Sequence, residues 1–216
     1  MIDPNLTNLR KSFLLLALLA LVGSGCGDPA PDTSTDQVSE APAVEGVHGV
    51  APPPVGGTAS VVVLRPAAPA PRPEREAPHI DQLGLTFTPS SLIVLVGEPV
   101  LFTNSETITH NVHLQFTDTD STVLNVETDP GGRAEFVFER EGGYDVLCDH
   151  HPGMRAFIYV SSSPYAVFAE PSGSFQIADV PPGSYTASLW SVDAELRTER
   201  PIEVSGPSTE VSFGGG

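Results

Sequence analysis

The sequence predicts an all-β protein, and three observations carry that prediction. From residue 80 the chain is cut into short runs rich in Val, Ile, Phe and Thr: LTFTP, SLIVLVG, PVLFTN, ITHNVHLQF, TVLNVET, RAEFVFE, GYDVLC and RAFIYV. Apolar and polar residues alternate clearly in Ala134-Glu135-Phe136-Val137-Phe138-Glu139, and nothing between 80 and 160 follows a helical period. The 22 prolines and 20 glycines in 216 residues favour turns and linkers over packed helices. About eight strands in about 80 residues point to an antiparallel sandwich or a Greek-key barrel.

Taken in chain order, residues 1–26 read as an export signal. Arg10 and Lys11 form a positive start, and Phe13 to Val22 is an apolar run of about ten residues, short of the roughly 20 that a spanning helix needs. The run ends in Val22-Gly23-Ser24-Gly25-Cys26, which resembles the bacterial lipobox, although Gly23 stands where leucine is commoner. That resemblance implies lipidation of Cys26 and anchoring to a bacterial membrane; the alternative is a plain secretory signal with an incidental cysteine. Both place the mature protein outside the cytoplasm, in the periplasm or at the cell surface.

Residues 27–43 are small, acidic and Pro-rich, with almost nothing to bury, and read as a flexible tether. Residues 44–65 hold two β-like runs, 44–50 and 59–65, around a Pro/Gly turn, too little to fold alone. Residues 66–78 form a second Pro-rich connector, stiffened toward polyproline II. The strand-rich segment follows at 79–161, and a second β pattern occupies 164–213. There Gly173-Ser174-Phe175-Gln176-Ile177 and Val180-Pro181-Pro182-Gly183-Ser184-Tyr185 read as strand, turn, strand.

The formal charge of −17, with Lys11 the only lysine, argues against nucleic acid as a partner, because binding to phosphate backbones rests on clustered Lys and Arg. Basic patches on protein partners are favoured instead. Nucleophile-elbow, HExxH, P-loop and dinucleotide motifs are all missing from the sequence, so sites of those kinds are not expected. Asp118 and Asp120 read as a solvated loop, His48 and His79 as loop histidines, and Trp190 as packing within the C-terminal β unit.

The chemistry concentrates in HNVH at 110–113 and GGYDVLCDHHPGM at 142–154. His110, Cys148, His151 and Met154 make two imidazoles, a thiolate and a thioether. Trigonal His₂Cys with a weak axial Met is the geometry of blue-copper electron-transfer sites. Zinc also accepts His₂Cys, but a thioether suits copper better. If Cys26 carries lipid, Cys148 has no disulfide partner, and metal ligation would keep an otherwise exposed liability bound. A Cys26–Cys148 disulfide is the competing reading, and it leaves the His and Met spacing unexplained. Strand alternation puts residues 110 and 113 on opposite faces, so His113 is expected at the surface or behind the ligands. His150 and His151 compete for one position.

Phe87-Thr88-Pro89, Val96-Gly97-Glu98-Pro99-Val100, His110-Asn111-Val112, Gly143-Tyr144-Asp145-Val146 and Cys148-Asp149-His150-His151-Pro152-Gly153-Met154 resemble the cupredoxins, and among them amicyanin and plastocyanin-like domains of methylamine-utilisation type. The resemblance implies a Greek-key cupredoxin sandwich over 79–161 holding one type 1 copper ion. Its ligands would be His110, Cys148, His151 at Cys+3, and Met154, with Asn111 bracing the ligand loops and Asp149 standing where a small hydroxyl residue is usual. DVPPGSY resembles the Ig-like, transthyretin-like modules called carboxypeptidase-regulatory-like, whose opening strands 44–65 would supply. The cupredoxin sandwich would then be inserted in, or followed by, a small β-sandwich.

The function implied is single-electron transfer between extracytoplasmic redox proteins. An electron carrier makes and breaks no substrate bond, so no small-molecule substrate and no enzyme activity is expected. The alternatives are copper acquisition or delivery, and a structural surface protein with a vestigial site. A carboxylate beside the cysteine ligand should stabilise the more positive metal state. The expected outcome is that Asp149→Ser raises the reduction potential in voltammetry of the copper-loaded protein, and an unchanged or lower value would contradict it.

Overall fold

The computed structural model describes residues 45–213. The export signal at 1–26, lipidation at Cys26 and the tether at 27–43 lie outside the described residues. Among the described residues sixteen strands run in chain order: β1 Gly46–Val50, β2 Val61–Pro66, β3 His79–Gln82, β4 Phe87–Thr88, β5 Ser91–Leu95, β6 Pro99–Asn104, β7 His110–Phe116, β8 Ser121–Thr128, β9 Arg133–Val137, β10 Gly142–Leu147, β11 Arg155–Ser161, β12 Tyr165–Phe168, β13 Ser174–Ile177, β14 Gly183–Trp190, β15 Thr198–Val204 and β16 Ser208–Ser212. One 3-10 turn, Ala194–Leu196, lies between β14 and β15. The all-β class is the observed one. The four-residue β3 escapes the sequence pattern because Ile80 is its only large apolar residue.

Strands β3 to β11 build one sandwich of two sheets, ordered β5-β11-β10-β7-β8 and β4-β3-β6-β9. Alternation decides which side chains enter its core. In β6 every second residue is buried, and in β7 His110, Val112, Leu114 and Phe116 are buried on one face. Phe102, Phe116, Phe138 and Tyr144 fill the centre with Val and Ile. Phe116, Phe138 and Tyr144 meet edge to face, with ring centroids 4.9–5.1 Å apart, the arrangement aromatic quadrupoles prefer.

The strands on either side of this segment in sequence join a second sandwich. Its sheets are β13-β1-β16 and β12-β2-β14-β15. β2 pairs antiparallel with both β12 and β14, so the run at 59–65 pairs with strands that follow residue 164. The sequence Val61-Val62-Val63-Leu64 is buried throughout, and its two faces go to different places. Val62 and Leu64 belong to the core of the second sandwich, whereas Val61 and Val63 face the first one. β11 divides in the same way: Ala156, Ile158 and Val160 point into the first core, and Phe157 and Tyr159 point outward to meet Val61, Val63 and Trp190. Continuous apolar runs are what strands buried on both faces require.

Trp190 corrects the reading from sequence. It packs in this seam, stacked on Phe157 at 5.3 Å and beside Tyr159 at 5.4 Å, rather than in the core of the C-terminal unit. Its indole N–H is buried without an acceptor. Arg197 lies over the ring at 5.0 Å and pairs with Asp118 at 2.7 Å, so Asp118 is tied down rather than freely solvated. Arg65 spans the same seam, bonding Glu141 at 2.7 Å, Glu199 at 3.1 Å and the Ser188 hydroxyl. The connector is also held: Arg75 pairs with Glu98, and Arg72 donates to the Val96 carbonyl. Glu98 is kept below the usual carboxylate range, burial working against this and the Arg75 and Leu95 hydrogen bonds outweighing it. His48 and His79 lie on strands β1 and β3, not in loops.

Replacing a buried Trp by Ala costs about 3 kcal/mol or more. The expected outcome for Trp190→Ala is a loss of that size in urea unfolding, and a change near zero would mean that the two sandwiches are stable without their seam.

Candidate metal centre

Register explains how distant residues meet at one end of the first sandwich. β10 pairs with β7 antiparallel, Leu147 opposite His113. Carrying that register two residues further sets Asp149 against Asn111, and Cys148 beside the start of β7. β10 also pairs with β11, Leu147 opposite Arg155, which closes a seven-residue loop holding Cys148, His151 and Met154. His110, the first residue of β7, lies on the core-facing side and is 0% exposed.

Three donor atoms converge there. His110 Nδ1 is 3.0 Å from His151 Nδ1, Cys148 Sγ is 3.7 Å from His110 Nδ1, and Cys148 Sγ is 3.6 Å from His151 Nδ1. Among the described residues these three form the one group of His, Cys, Asp or Glu placed to hold a metal ion. A circle through the three atoms has a radius of about 2 Å, the length of a metal–nitrogen bond. Three lone-pair atoms facing one another, two of them on buried residues, suit a cation, so the donor set fits a bound metal. Met154 is 1% exposed in the core cluster that also contains Cys148, and its amide donates to the His151 carbonyl at 2.8 Å, shaping the loop. Cys148 is a free thiol among the described residues.

The His110 ring is held from behind. Nε2 is buried without a hydrogen-bond partner, and Glu106 Oε1 lies 3.6 Å away. Glu106 Oε1 also accepts the Leu85 amide at 2.6 Å, which fixes the carboxylate. A metal on Nδ1 would polarise Nε2–H toward this carboxylate, as outer partners of ligating histidines do. Burial holds His110 below the ordinary imidazole range, against the pull of Glu106, so the neutral, ligating form is favoured. Glu106 has no motif in the sequence; it lies in a loop, and only the folded turn brings it to the ring.

Asn111 and Asp149 meet through two bonds: the Asp149 amide donates to Asn111 Oδ1 at 2.7 Å, and Asn111 Nδ2 donates to Asp149 Oδ2 at 2.9 Å. Asn125 Nδ2 adds a bond to Oδ2 at 2.9 Å, and His113 Nδ1 one to Oδ1 at 2.8 Å. The His113 bond, then that of Asn125, keeps the Asp149 carboxyl below its usual range; burial opposes and Asn111 assists. His113 thus sits on the face opposite His110. His150 is 45% exposed and paired with Glu127 at 2.7 Å, outside the donor cluster. The part of Asn125 was not visible in sequence, because it depends on β8 pairing with β7.

A family comparison falls on this same segment. Residues 76–161 match the family model of copper binding proteins of the plastocyanin/azurin family. Among solved structures, a purple cupredoxin from Nitrosopumilus maritimus is 26% identical, covering 39% of this chain and 99% of its own, with a TM-score of 0.36. Amicyanin from Paracoccus versutus is 22% identical over 46% of this chain and 92% of its own, TM-score 0.37. A copper-containing nitrite reductase from Thermus scotoductus is 23% identical over 45% of this chain and 25% of its own, TM-score 0.37. No curated protein matches the chain.

Because His110 takes up a proton less readily when folded, stability is complete above the free-imidazole value and is lost as pH falls through it. The unfolding free energy of the metal-free protein is expected to drop below about pH 6.5, and His110→Gln is expected to make that pH dependence shallower. Equal slopes in the two proteins would contradict it.

Proposed function

We propose that the protein binds one copper ion at His110, Cys148, His151 and Met154, and carries single electrons between redox proteins outside the cytoplasm. The observation that carries this reading is the triangle of two imidazole nitrogens and one sulfur, 3.0–3.7 Å on a side, with His110 and Cys148 buried. The family match of residues 76–161 supports copper as the ion. Copper bound there would supply the one-electron Cu(II)/Cu(I) couple.

Each residue has a part that follows from its position. Cys148 gives the thiolate and the strongest bond; His110, wholly buried, gives a neutral imidazole on a rigid strand. His151 is partly exposed and lies toward the surface through which an electron would pass. Met154 offers a thioether from within the core. The preformed triangle limits how far the ligands must move when the charge changes, which keeps reorganisation small. The proposal includes no substrate bond made or broken, hence no enzyme activity.

The charge of −17 favours partners with basic faces. Export by the signal at 1–26, with lipid on Cys26, would hold the protein at a membrane surface, and residues 27–43 would give it reach. We read the second sandwich as a carboxypeptidase-regulatory-like module that carries the copper-binding sandwich.

An optical spectrum of the copper-loaded protein tests the reading. The expected outcome is an intense visible sulfur-to-copper band that disappears in Cys148→Ala. A colourless Cu(II) protein, or a band that survives the substitution, would overturn it.

A further inference from the structure

The outward face of β7 carries a second arrangement that the ligand set does not use. Residues 111, 113 and 115 point away from the core that takes 110, 112 and 114. On this face His113 lies directly opposite Asn125 of β8 and beside Leu147 of β10. The chain leaving Leu147 therefore delivers Asp149 above both of them. Asn111, Asn125 and His113 together supply three side-chain donors to its two carboxylate oxygens, at 2.8–2.9 Å.

We propose that His113 is a positioning residue for the donor loop: it clamps Asp149, and through the Asp149 amide it sets how firmly Cys148 and the residues after it are held. The hydrogen bonds hold the ring at both edges. Nδ1 faces a carboxylate oxygen, which can only accept, so Nδ1 carries the proton. Nε2 faces the Thr122 hydroxyl at 2.8 Å and the Gln115 amide nitrogen at 3.4 Å, and the amide nitrogen can only donate. His113 is accordingly fixed at both ends, and it holds the Asp149 carboxylate one residue from Cys148. Asp149 is 51% exposed and His113 15%, so the clamp closes the loop from its solvent side. A serine or asparagine at 113 would not bridge both Thr122 and Asp149; an imidazole, with nitrogens on opposite edges, does.

The bearing on copper rests on the proposed function; the clamp itself rests on the metal-free geometry. The test uses the full chain, metal-free and loaded with Cu(II). In the metal-free protein, exchange of the Asp149 amide hydrogen is expected to quicken about fivefold in His113→Leu, as one lost hydrogen bond implies. His113→Asn, whose amide reaches the Nδ1 position but not Thr122, should return part of the protection. In the loaded protein, His113→Leu is expected to speed transfer of Cu(II) to a chelator, and His113→Asn to reverse part of this. In an Asp149→Ser background, His113→Leu should change neither rate further. Wild-type exchange at Asp149 in His113→Leu would overturn the proposal. Should that variant not fold, Thr122→Val releases the other end of the ring; quicker exchange supports the clamp and an unchanged rate refutes it. If the wild-type chain takes up no Cu(II), the copper reading falls while the exchange measurement still decides the role of His113.

Discussion

Two imidazole nitrogens and a thiol sulfur, facing one another at the edge of the core with His110 and Cys148 buried, are the constraint around which the first sandwich is arranged. Such atoms are electron-rich and would not be packed together for stability alone, since each loses hydrogen bonds to water. The sandwich imposes their meeting. His110 stands on a strand whose neighbours on both sides are paired, and Cys148 follows directly from another, so neither backbone can withdraw without breaking the ladder.

The pleat of β7 divides the labour around that point. Its inward residues place one donor and then continue as core: Val112, Leu114 and Phe116 follow His110 into the apolar cluster. Its outward residues form a polar sheet surface with β8, and that surface grips the donor loop at Asp149. One strand thus supplies a donor atom on one face and a brace on the other. Glu106 completes the surround from the loop before β7.

The two sandwiches are joined on the other side of the same sheet. β2 and β11 each give alternate residues to their own core and to the seam, and Trp190 fills the space between them. Gly143 in β10 leaves room for this: a side chain there would meet the Trp190 ring within 2.6 Å. Arg65, Arg72 and Arg75 fasten the connector and the seam by hydrogen bonds at their edges. The second sandwich is therefore packed against the first along an apolar seam, with Arg65 and Arg197 bonded at its edges.

Local pattern was enough to read strands, their breakers and the loop that carries Cys148, His151 and Met154, because these depend on residues close in sequence. The period of two in 110–116 was also enough to separate the faces of His110 and His113. Short or polar elements were not legible: β3 has one large apolar side chain, and nothing local distinguishes it from loop. Nor could sequence choose between the two destinations of Val61-Val62-Val63-Leu64, since a strand buried on both faces looks alike from either side. The partners of Trp190 and Asn125 are set by which strands pair and in what register. Those are long-range facts, fixed only when the sheets close and bring residues tens of positions apart into contact.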